Sequence, residues 1–556
     1  MDITPANISA SPRSRSRSRT RNSTANSRST SSTRRPSIGK RSLSSSSLTK
    51  LVVTPTTIDH DKSIPTVHAT LDNTLPLDFF KQDLLSLIKT LRISKWHKRQ
   101  LTVANLIVNR ISGALTNSIY KIEYYDAQQN LQLPALLLRV YGRNVDSLID
   151  RESELATLIK LSHKRIGPRL LGIFTNGRFE QFLDGFITLN KAQIRDEVIS
   201  QMLGRRMKDL HYKIELDEED STAELPTAWR LIFKWLKIFE AEYLPGYIQN
   251  NFDPKDVFFV EFSRFKEIVL SYKEFLFDKY DKDSFSSNYK FCHNDTQYGN
   301  LLLHESFNPE DIIVDTPVPS TPTDESIPII KSTSNKKDSN LVVIDFEYSG
   351  SNFPAFDLVN HFSEWMADYH DPEKSYYIHE DQYPSQLEQL NLIKSYIEYD
   401  FQYPSSGLKL ANAPELLSSE TTDASALVQF EIKKMYNECV YWRSTVQIFW
   451  CLWGLIQNGP LKPSSPGSPN PNGTAEAGID STYNIITGMD NLNLDEVIVE
   501  EAISSSDDDF DYLKYSQQKI AIIIGDFIKF GLIKKDEVDE KYWPIIKYLD
   551  TTLLEL

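Results

Sequence analysis

An α+β chain in two lobes, a small antiparallel-sheet lobe followed by a larger and mainly helical one, is the architecture this sequence predicts. Three observations lead there. The 556 residues exceed the roughly 100–200 of a single domain. Between residues 75 and 186, short apolar runs with strand character alternate with single helices. Beyond Leu189 the patterning turns mostly helical, with one short β-rich interruption.

Taken in order, residues 1–74 are rich in Ser, Thr, Arg and Pro without hydrophobic periodicity, the composition of a disordered basic tail. Order is expected from Leu75. A helix over Phe79–Leu91 is carried by Leu84, Leu85, Ile88 and Leu91. Strands follow at Leu101–Ile111, Ile119–Tyr125 and Ala135–Tyr141, then a charged helix over Leu148–Leu161. Leu170–Phe174 and Arg178–Phe182 flank Thr175-Asn176-Gly177, and an Asn-Gly pair between apolar runs signals a hairpin. The N-lobe is thus set at 75–186 and the C-lobe at 187–556. Within the latter, Lys290–Cys292, Asn300–Leu303 and Leu341–Phe346 form the β-rich interruption. Segments near 307–340, 404–422 and 459–508, rich in Pro, Ser and acidic residues, read as exposed insertions.

Hydrophobic residues make up 40% of the chain and aromatics 11%, enough for a sizeable core. The net charge of −15 is uneven: residues 1–50 hold nine Arg and two Lys against Asp2, a local +10, so the remainder carries −25. An acidic body argues against nucleic acid as a partner and suits a small or cationic one. The basic tail reads as a solvated, phosphorylatable extension. Cys292, Cys439 and Cys451 offer neither a disulfide framework nor metal spacing, which fits a reducing compartment. The longest apolar stretch, around Gln447–Ile456, is far short of the roughly 20 residues of a membrane span, so a cytoplasmic protein without membrane insertion is expected.

The strongest local signal is Phe291-Cys292-His293-Asn294-Asp295-Thr296-Gln297-Tyr298-Gly299-Asn300-Leu301-Leu302. It carries H-x-D-x-x-x-x-N, the spacing of kinase catalytic loops, in which an Asp faces the substrate hydroxyl and an Asn offers an oxygen to Mg²⁺. Alone it also describes an Asp-capped turn between strands. A second element strengthens it: the apolar strand Leu341–Phe346 runs into Asp345-Phe346-Glu347-Tyr348. Period-two alternation puts Asp345 and Glu347 on one face, and Mg²⁺ prefers one or two carboxylates with waters and phosphates.

These two elements, with Asn360-His361-Phe362-Ser363-Glu364-Trp365-Met366 beyond them, resemble the choline/ethanolamine kinase family. The likeness covers roughly 75–300, 341–400 and 430–550 and is greatest to fungal choline kinases. It implies a protein-kinase-like fold shared with aminoglycoside phosphotransferases. By that resemblance Gly113, Ala114, Leu115, Thr116, Asn117 and Ser118 form a phosphate loop, in which a glycine lets backbone N–H groups approach phosphate oxygens. Arg139, at the end of Leu136-Leu137-Leu138, holds the phosphate cation position, with Glu152 on the next helix as its carboxylate. Gln181, Phe182 and Leu183 fall where the hinge meets adenine.

A quaternary ammonium cannot donate hydrogen bonds, so its site needs aromatic faces, each worth on the order of 0.5–2 kcal/mol. The resemblance gathers Tyr348, Tyr369, Trp450, Trp453, Tyr512 and Tyr515 around such a cation, with Glu364 nearby. It also makes Asp295 the hydroxyl-orienting group, puts Gln297 beside that hydroxyl, and assigns Mg²⁺ to Asn300, Asp345 and Glu347. His293 and Asp357 read as scaffold, Trp365 as core. The expected activity is transfer of the γ-phosphate of ATP to choline, the entry to phosphatidylcholine synthesis in this family, by an enzyme whose relatives often form homodimers. The alternatives are an ethanolamine kinase, a protein kinase and an inactive regulatory relative. Asp-Phe-Glu in place of Asp-Phe-Gly speaks against the second, and intact Asp295, Asn300 and Asp345 against the third.

Overall fold

A computed structural model describes residues 53–56, 64–111, 117–141, 151–164, 166–313, 333–402, 424–460 and 510–556. In the first lobe the elements run β1 (Val53–Thr56), β2 (Ile64–Val67), α1 (Leu77–Thr90), β3 (Leu106–Ile111), β4 (Asn117–Asp126), β5 (Leu131–Gln132), β6 (Leu136–Tyr141), α2 (Arg151–Lys164), β7 (Leu170–Phe174) and β8 (Gly177–Gln181). They form one sheet in the order β1-β2-β7-β8-β6-β4-β3, with β5 on β4. All pairs are antiparallel except β2 with β7. Secondary structure therefore starts ahead of Leu75: β1 and β2 extend the sheet from a segment whose composition reads as tail.

Helix α1 forms where Leu84, Leu87, Ile88 and Leu91 recur at helical spacing, and all four are buried in the lobe's own core with Leu138 and Phe179. The predicted hairpin is there. Asn176 bonds back to Leu71 through both its amide groups, and a Cβ on Gly177 would come within 2.3 Å of the Arg139 carbonyl, so only glycine lets β8 start this close to β6. Two boundaries differ from the sequence pattern. The strand expected from Leu101 begins at Leu106, after a 3₁₀ turn over Val103–Asn105, and α2 runs beyond the expected Leu161 to Lys164.

The second lobe opens with β9 (Phe186–Thr188) and continues through α3 (Glu197–Lys213), α4 (Glu218–Ser221), α5 (Thr227–Ile238), α6 (Leu244–Gln249), α7 (Lys255–Phe258) and α8 (Phe262–Phe277). Then come β10 (Lys290–Cys292), β11 (Leu301–His304), β12 (Leu341–Val343), β13 (Gly350–Asn352), α9 (Pro354–Glu364), α10 (Gln386–Gln402), α11 (Ala424–Asn458) and α12 (Tyr512–Lys529). Two small sheets, β10-β13 and β12-β11-β9, sit among these helices. The largest hydrophobic core among the described residues fills this lobe, whereas the first lobe is built on a smaller core of its own and a minor cluster of Ile64, Ile159, Leu170 and Ile173. Helices α11 and α12 are locked by Arg443 and Asp526, both fully buried, at 2.6 and 2.9 Å. A Cβ on Gly454 would meet Ser516 Oγ at 2.5 Å, which is why α12 can lie so close to α11.

The insertion expected at 307–340 is anchored at both ends rather than uniformly exposed. Ile312 is buried, Ile313 bridges Thr333, and Asp338 forms a buried bidentate pair with Arg205 at 2.7 Å. Segments 404–422 and 461–508 lie outside the described residues. Among those residues no helix is long and apolar enough to cross a membrane, and the three cysteines are free and buried.

Candidate active site

The loop after β10 is held in a sparsely populated conformation by hydrogen bonds from several elements. Asn294 sits at φ +66°, a left-handed geometry that asparagine tolerates better than most residues. From the first turn of α9, Asp357 accepts the main-chain N–H of Asn294 on Oδ1 and that of His293 on Oδ2, both at 2.8 Å. His211 of α3 donates to Oδ2 at 2.9 Å. Burial raises the Asp357 carboxyl, but the His211 hydrogen bond and the surrounding donors outweigh it and leave it below its ordinary value. His211, Cys292 and Asp357 cluster closely enough to suggest metal ligands, yet the carboxylate is already committed to these donors.

His293 stitches the two sequence motifs together. Its Nδ1 accepts the Asp295 N–H at 3.2 Å, so the ring carries its proton on Nε2 and donates to the Ile344 carbonyl at 2.8 Å. Asn294 donates to the Tyr348 carbonyl and accepts from Asn352, each at 2.9 Å. Asn300 Nδ2 donates to the main-chain oxygen and to Oδ2 of Asp295, both at 2.9 Å, which leaves its amide oxygen for another partner.

The metal-side strand corrects one expectation. Strand β12 ends at Val343, and Asp345 adopts φ +65°, so Asp345 and Glu347 are not brought together by strand alternation. The chain turns there instead, and both carboxylates act electrostatically on Asp295. Burial first, then Glu364, Asp345 and Glu347 push the Asp295 carboxyl well above the ordinary range. Asp295 is thus within electrostatic reach of Asp345, Glu347 and Glu364. The donor set of carboxylates and one amide oxygen is hard and oxygen-only, which fits Mg²⁺.

Arg139 reaches from β6 into the same site, with Nη1 3.4 Å from Asp345 Oδ1. Across the sheet it stands directly opposite Arg178. Two facing guanidiniums need anions: Glu180 lies 2.6 Å from Arg178 and 3.8 Å from Arg139, and Glu154 lies 2.9 Å from Arg178. Sequence reasoning missed Arg178, Glu180 and Glu154. The signal was present in Arg178-Phe179-Glu180, whose alternation puts both charges on the face of Arg139. The Glu152 side chain lies outside the described residues, as do Gly113, Ala114, Leu115 and Thr116. Asn117 and Ser118 open β4, paired with Tyr141 and Val140. Gln181 closes β8 and accepts from Arg169 Nε at 2.9 Å. Leu183 accepts from Phe186 N in the segment joining the lobes. The half-buried Gln297 amide lies over Gly299, where a Cβ would come within 2.9 Å of it.

The predicted aromatic residues form a continuous wall. Tyr348 meets Trp450 at 5.5 Å between ring centroids, Trp450 meets Trp453 at 5.4 Å, and Trp453 meets Tyr512 at 5.7 Å and Tyr515 at 6.3 Å. Phe510 bridges Tyr512, Tyr515 and Tyr369, and Tyr298 extends the series from Tyr369. Phe510 and Tyr298 were not among the predicted site residues. Polar ends orient the rings: Trp450 Nε1 donates to Asn360 and Trp453 Nε1 to Tyr348 Oη, both at 2.7 Å. Tyr369 Oη donates to Glu364 at 2.8 Å. Trp453, Tyr369 and Phe510 are half-buried and so line the accessible side, whereas Tyr348, Trp450, Tyr512 and Tyr515 back them.

The chain is similar to known proteins over most of its length. Residues 108–524 match the choline/ethanolamine kinase family and residues 55–105 match the choline kinase N terminus. The choline kinase of Saccharomyces cerevisiae is 36% identical over 525 residues, covering 88% of this chain and 82% of the relative. The ethanolamine kinase of the same yeast is 32% identical, covering 88% and 83%. Among solved structures, choline kinase from Cryptosporidium parvum superposes with a TM-score of 0.53 at 18% identity, over 81% of this chain and 97% of that one, a likeness of fold.

Proposed function

This chain belongs to the choline/ethanolamine kinase family, and we propose that its acceptor is choline, with ethanolamine second. It is an ATP-dependent kinase acting on an alcohol. The observation that carries the acceptor reading is that Asp295 is within electrostatic reach of Asp345 and Glu347 and also of Glu364, whose carboxylate accepts from Tyr369 of the aromatic wall. The aromatic wall continues from Glu364 through Tyr369.

In this reading Asp295 accepts or orients the choline hydroxyl proton, and its raised affinity for protons suits that task. Asn300 fixes the Asp295 carboxylate and, with Asp345, would hold Mg²⁺, Glu347 contributing to a second ion. The metal, when bound, neutralises charge on the phosphates. Arg139 draws off phosphate charge, braced by Glu180 and Asp345. Residues 113–118 cradle the phosphates, and Gln181 and Leu183 border the adenine. Gln297 stands beside the hydroxyl. The wall holds the ammonium by its ring faces, which favours the quaternary ion. A primary ammonium would instead find acceptors in Glu364 and the tyrosine hydroxyls, which is what keeps ethanolamine as the second reading. A cytoplasmic location and a homodimer complete the proposal, supported by three reduced cysteines and by the family resemblance.

Steady-state ATP turnover with choline and ethanolamine in competition, with the phosphorylated product identified, tests it. Phosphocholine formed at the higher kcat/KM is expected. Turnover with neither acceptor would overturn the amino-alcohol reading, and a preference for ethanolamine would overturn the order.

A further inference from the structure

Two buried guanidiniums share a single carboxylate oxygen in the first lobe. Arg139 of β6 and Arg178 of β8 are register partners, 6% and 2% exposed. Glu180 Oε1 lies 2.6 Å from Arg178 Nε and 3.8 Å from Arg139 Nε. The first is a short, charge-assisted hydrogen bond; the second is too long to be one. Arg178 holds the oxygen, and Arg139 stands at the edge of its reach.

Other partners fix Arg178 in that place. Glu154 of α2 lies 2.9 Å from its Nη1, which also donates to Tyr141 Oη at 3.3 Å. The guanidinium lies 5.6 Å from the centroid of the Tyr141 ring. Arg139 divides its attention differently. Its Nη1 faces Asp345 Oδ1 at 3.4 Å, on the metal side of the site, while its Nε faces Glu180.

We infer that Arg178 is a positioning residue for the nucleotide phosphates: by binding Glu180 it keeps that carboxylate from closing on Arg139, and so leaves the Arg139 charge for the phosphates. This inference rests on the reading given above, in which Arg139 draws off phosphate charge. Without Arg178, the buried carboxylates of Glu180 and Glu154 would face Arg139 as the remaining cation of the cluster. A movement of about 1 Å would bring Glu180 to hydrogen-bond distance of Arg139 and draw the guanidinium back from Asp345. An arginine neutralised by a near carboxylate attracts phosphate less, so a triphosphate would bind more weakly. The uncharged nucleoside part would feel no such loss. Removing Glu180 together with Arg178 takes away one charge of each sign and frees Arg139 again.

A purely architectural pair, tying β8 to α2, would behave otherwise. Its loss would loosen the lobe and weaken nucleoside and nucleotide alike, and removing the second partner would restore nothing.

The test measures binding of the non-hydrolysable β,γ-imido analogue of ATP with Mg²⁺, and of adenosine by competition. The proteins compared are wild type, Arg178→Met, Arg178→Met/Glu180→Gln and Arg139→Met. In Arg178→Met the analogue is expected to bind at least about tenfold more weakly, the equivalent of one hydrogen bond to a charged group, with adenosine unchanged. The double variant should recover most of that loss. In turnover, KM for ATP should follow the same order while KM for choline stays near wild type. Three results would overturn the inference alone: an undiminished analogue affinity in Arg178→Met, an equal loss for adenosine, or a double variant no better than the single one. If Arg139→Met binds the analogue as wild type does, the phosphate reading of Arg139 falls and this inference with it. Should Arg178→Met not fold, Arg178→Lys decides. Its single ammonium keeps the charge but cannot reproduce the fork that serves Glu180 and Glu154 together. Weaker binding of the analogue with unchanged adenosine supports the inference, and any other pattern overturns it.

Discussion

The catalytic knot and the aromatic wall adjoin in the second lobe, yet they are held together by different forces. The knot is polar and over-determined. Asp357 alone accepts from two main-chain N–H groups and one imidazole, His293 joins both motifs, and two non-glycine residues are held at positive φ. The wall is a series of ring contacts at 4.9–6.3 Å drawn from five separate segments, with few hydrogen bonds to fix it. Strain is maintained only where surrounding bonds leave no alternative, so the knot should respond to single changes as a unit. The wall should lose affinity ring by ring. Chemistry is thus lodged in a part that tolerates little change, and acceptor choice in a part that can drift.

The sharpest break in that contrast is Asp295→Asn. It keeps the shape and removes the proton acceptor, so kcat should fall about a thousandfold with KM for choline nearly unchanged. A kcat within tenfold of wild type would remove Asp295 from the chemistry. Asp357→Asn attacks the same region through its scaffold. One amide oxygen cannot accept what two carboxylate oxygens accept, and its amide would face other donors. A loss of about 3 kcal/mol in urea unfolding is expected, together with activity.

How far each region was legible in the sequence follows from the same contrast. The knot lies in two short stretches, so the spacing of Asp295 to Asn300 and the pair Asp345 and Glu347 could be read directly. Its geometry could not: alternation predicted an extended strand through Asp345, whereas φ +65° turns the chain there. His211 and Asp357 are far apart in sequence, and nothing local marks their contact. The wall's residues are ordinary core aromatics taken singly, and only family resemblance gathered them; Phe510 and Tyr298 fell outside even that. In the first lobe, Arg139 was found but its described neighbours were not: alternation puts Arg178 and Glu180 on one face, while their placement beside Arg139, and that of Glu154 from α2, is set by tertiary pairing.

The knot's buried imidazoles predict a pH response that the neutral rings of the wall lack. His361 accepts from Trp365 Nε1 and donates to the Thr296 carbonyl, and burial holds its pKa down to about 4. The unfolded chain binds that proton below pH ~6.5 while the native state refuses it until about 4. Stability from this group is therefore present above pH ~6.5 and falls by about 3 kcal/mol as pH drops to 4. His211 and His293 are shifted in the same direction. Urea midpoints between neutral and acidic pH should show the decline, and His361→Asn should flatten it; an unchanged slope in the variant would contradict the assignment.

The smallest effect belongs to the wall. Trp453→Ala should raise KM for choline roughly 3- to 30-fold, the equivalent of about 0.5–2 kcal/mol, with kcat and KM for ATP close to wild type. A collapse of kcat instead would mean that knot and wall are not separable.

The most direct measurement of the account is the ratio of kcat/KM for choline to that for 3,3-dimethylbutan-1-ol in the wild-type enzyme. The two acceptors share shape and hydroxyl and differ only in charge. If ring faces and the Glu364 carboxyl select a cation, choline should be preferred by at least about thirtyfold, some 2 kcal/mol. Equal values would contradict the account, because the wall would then be recognising shape alone.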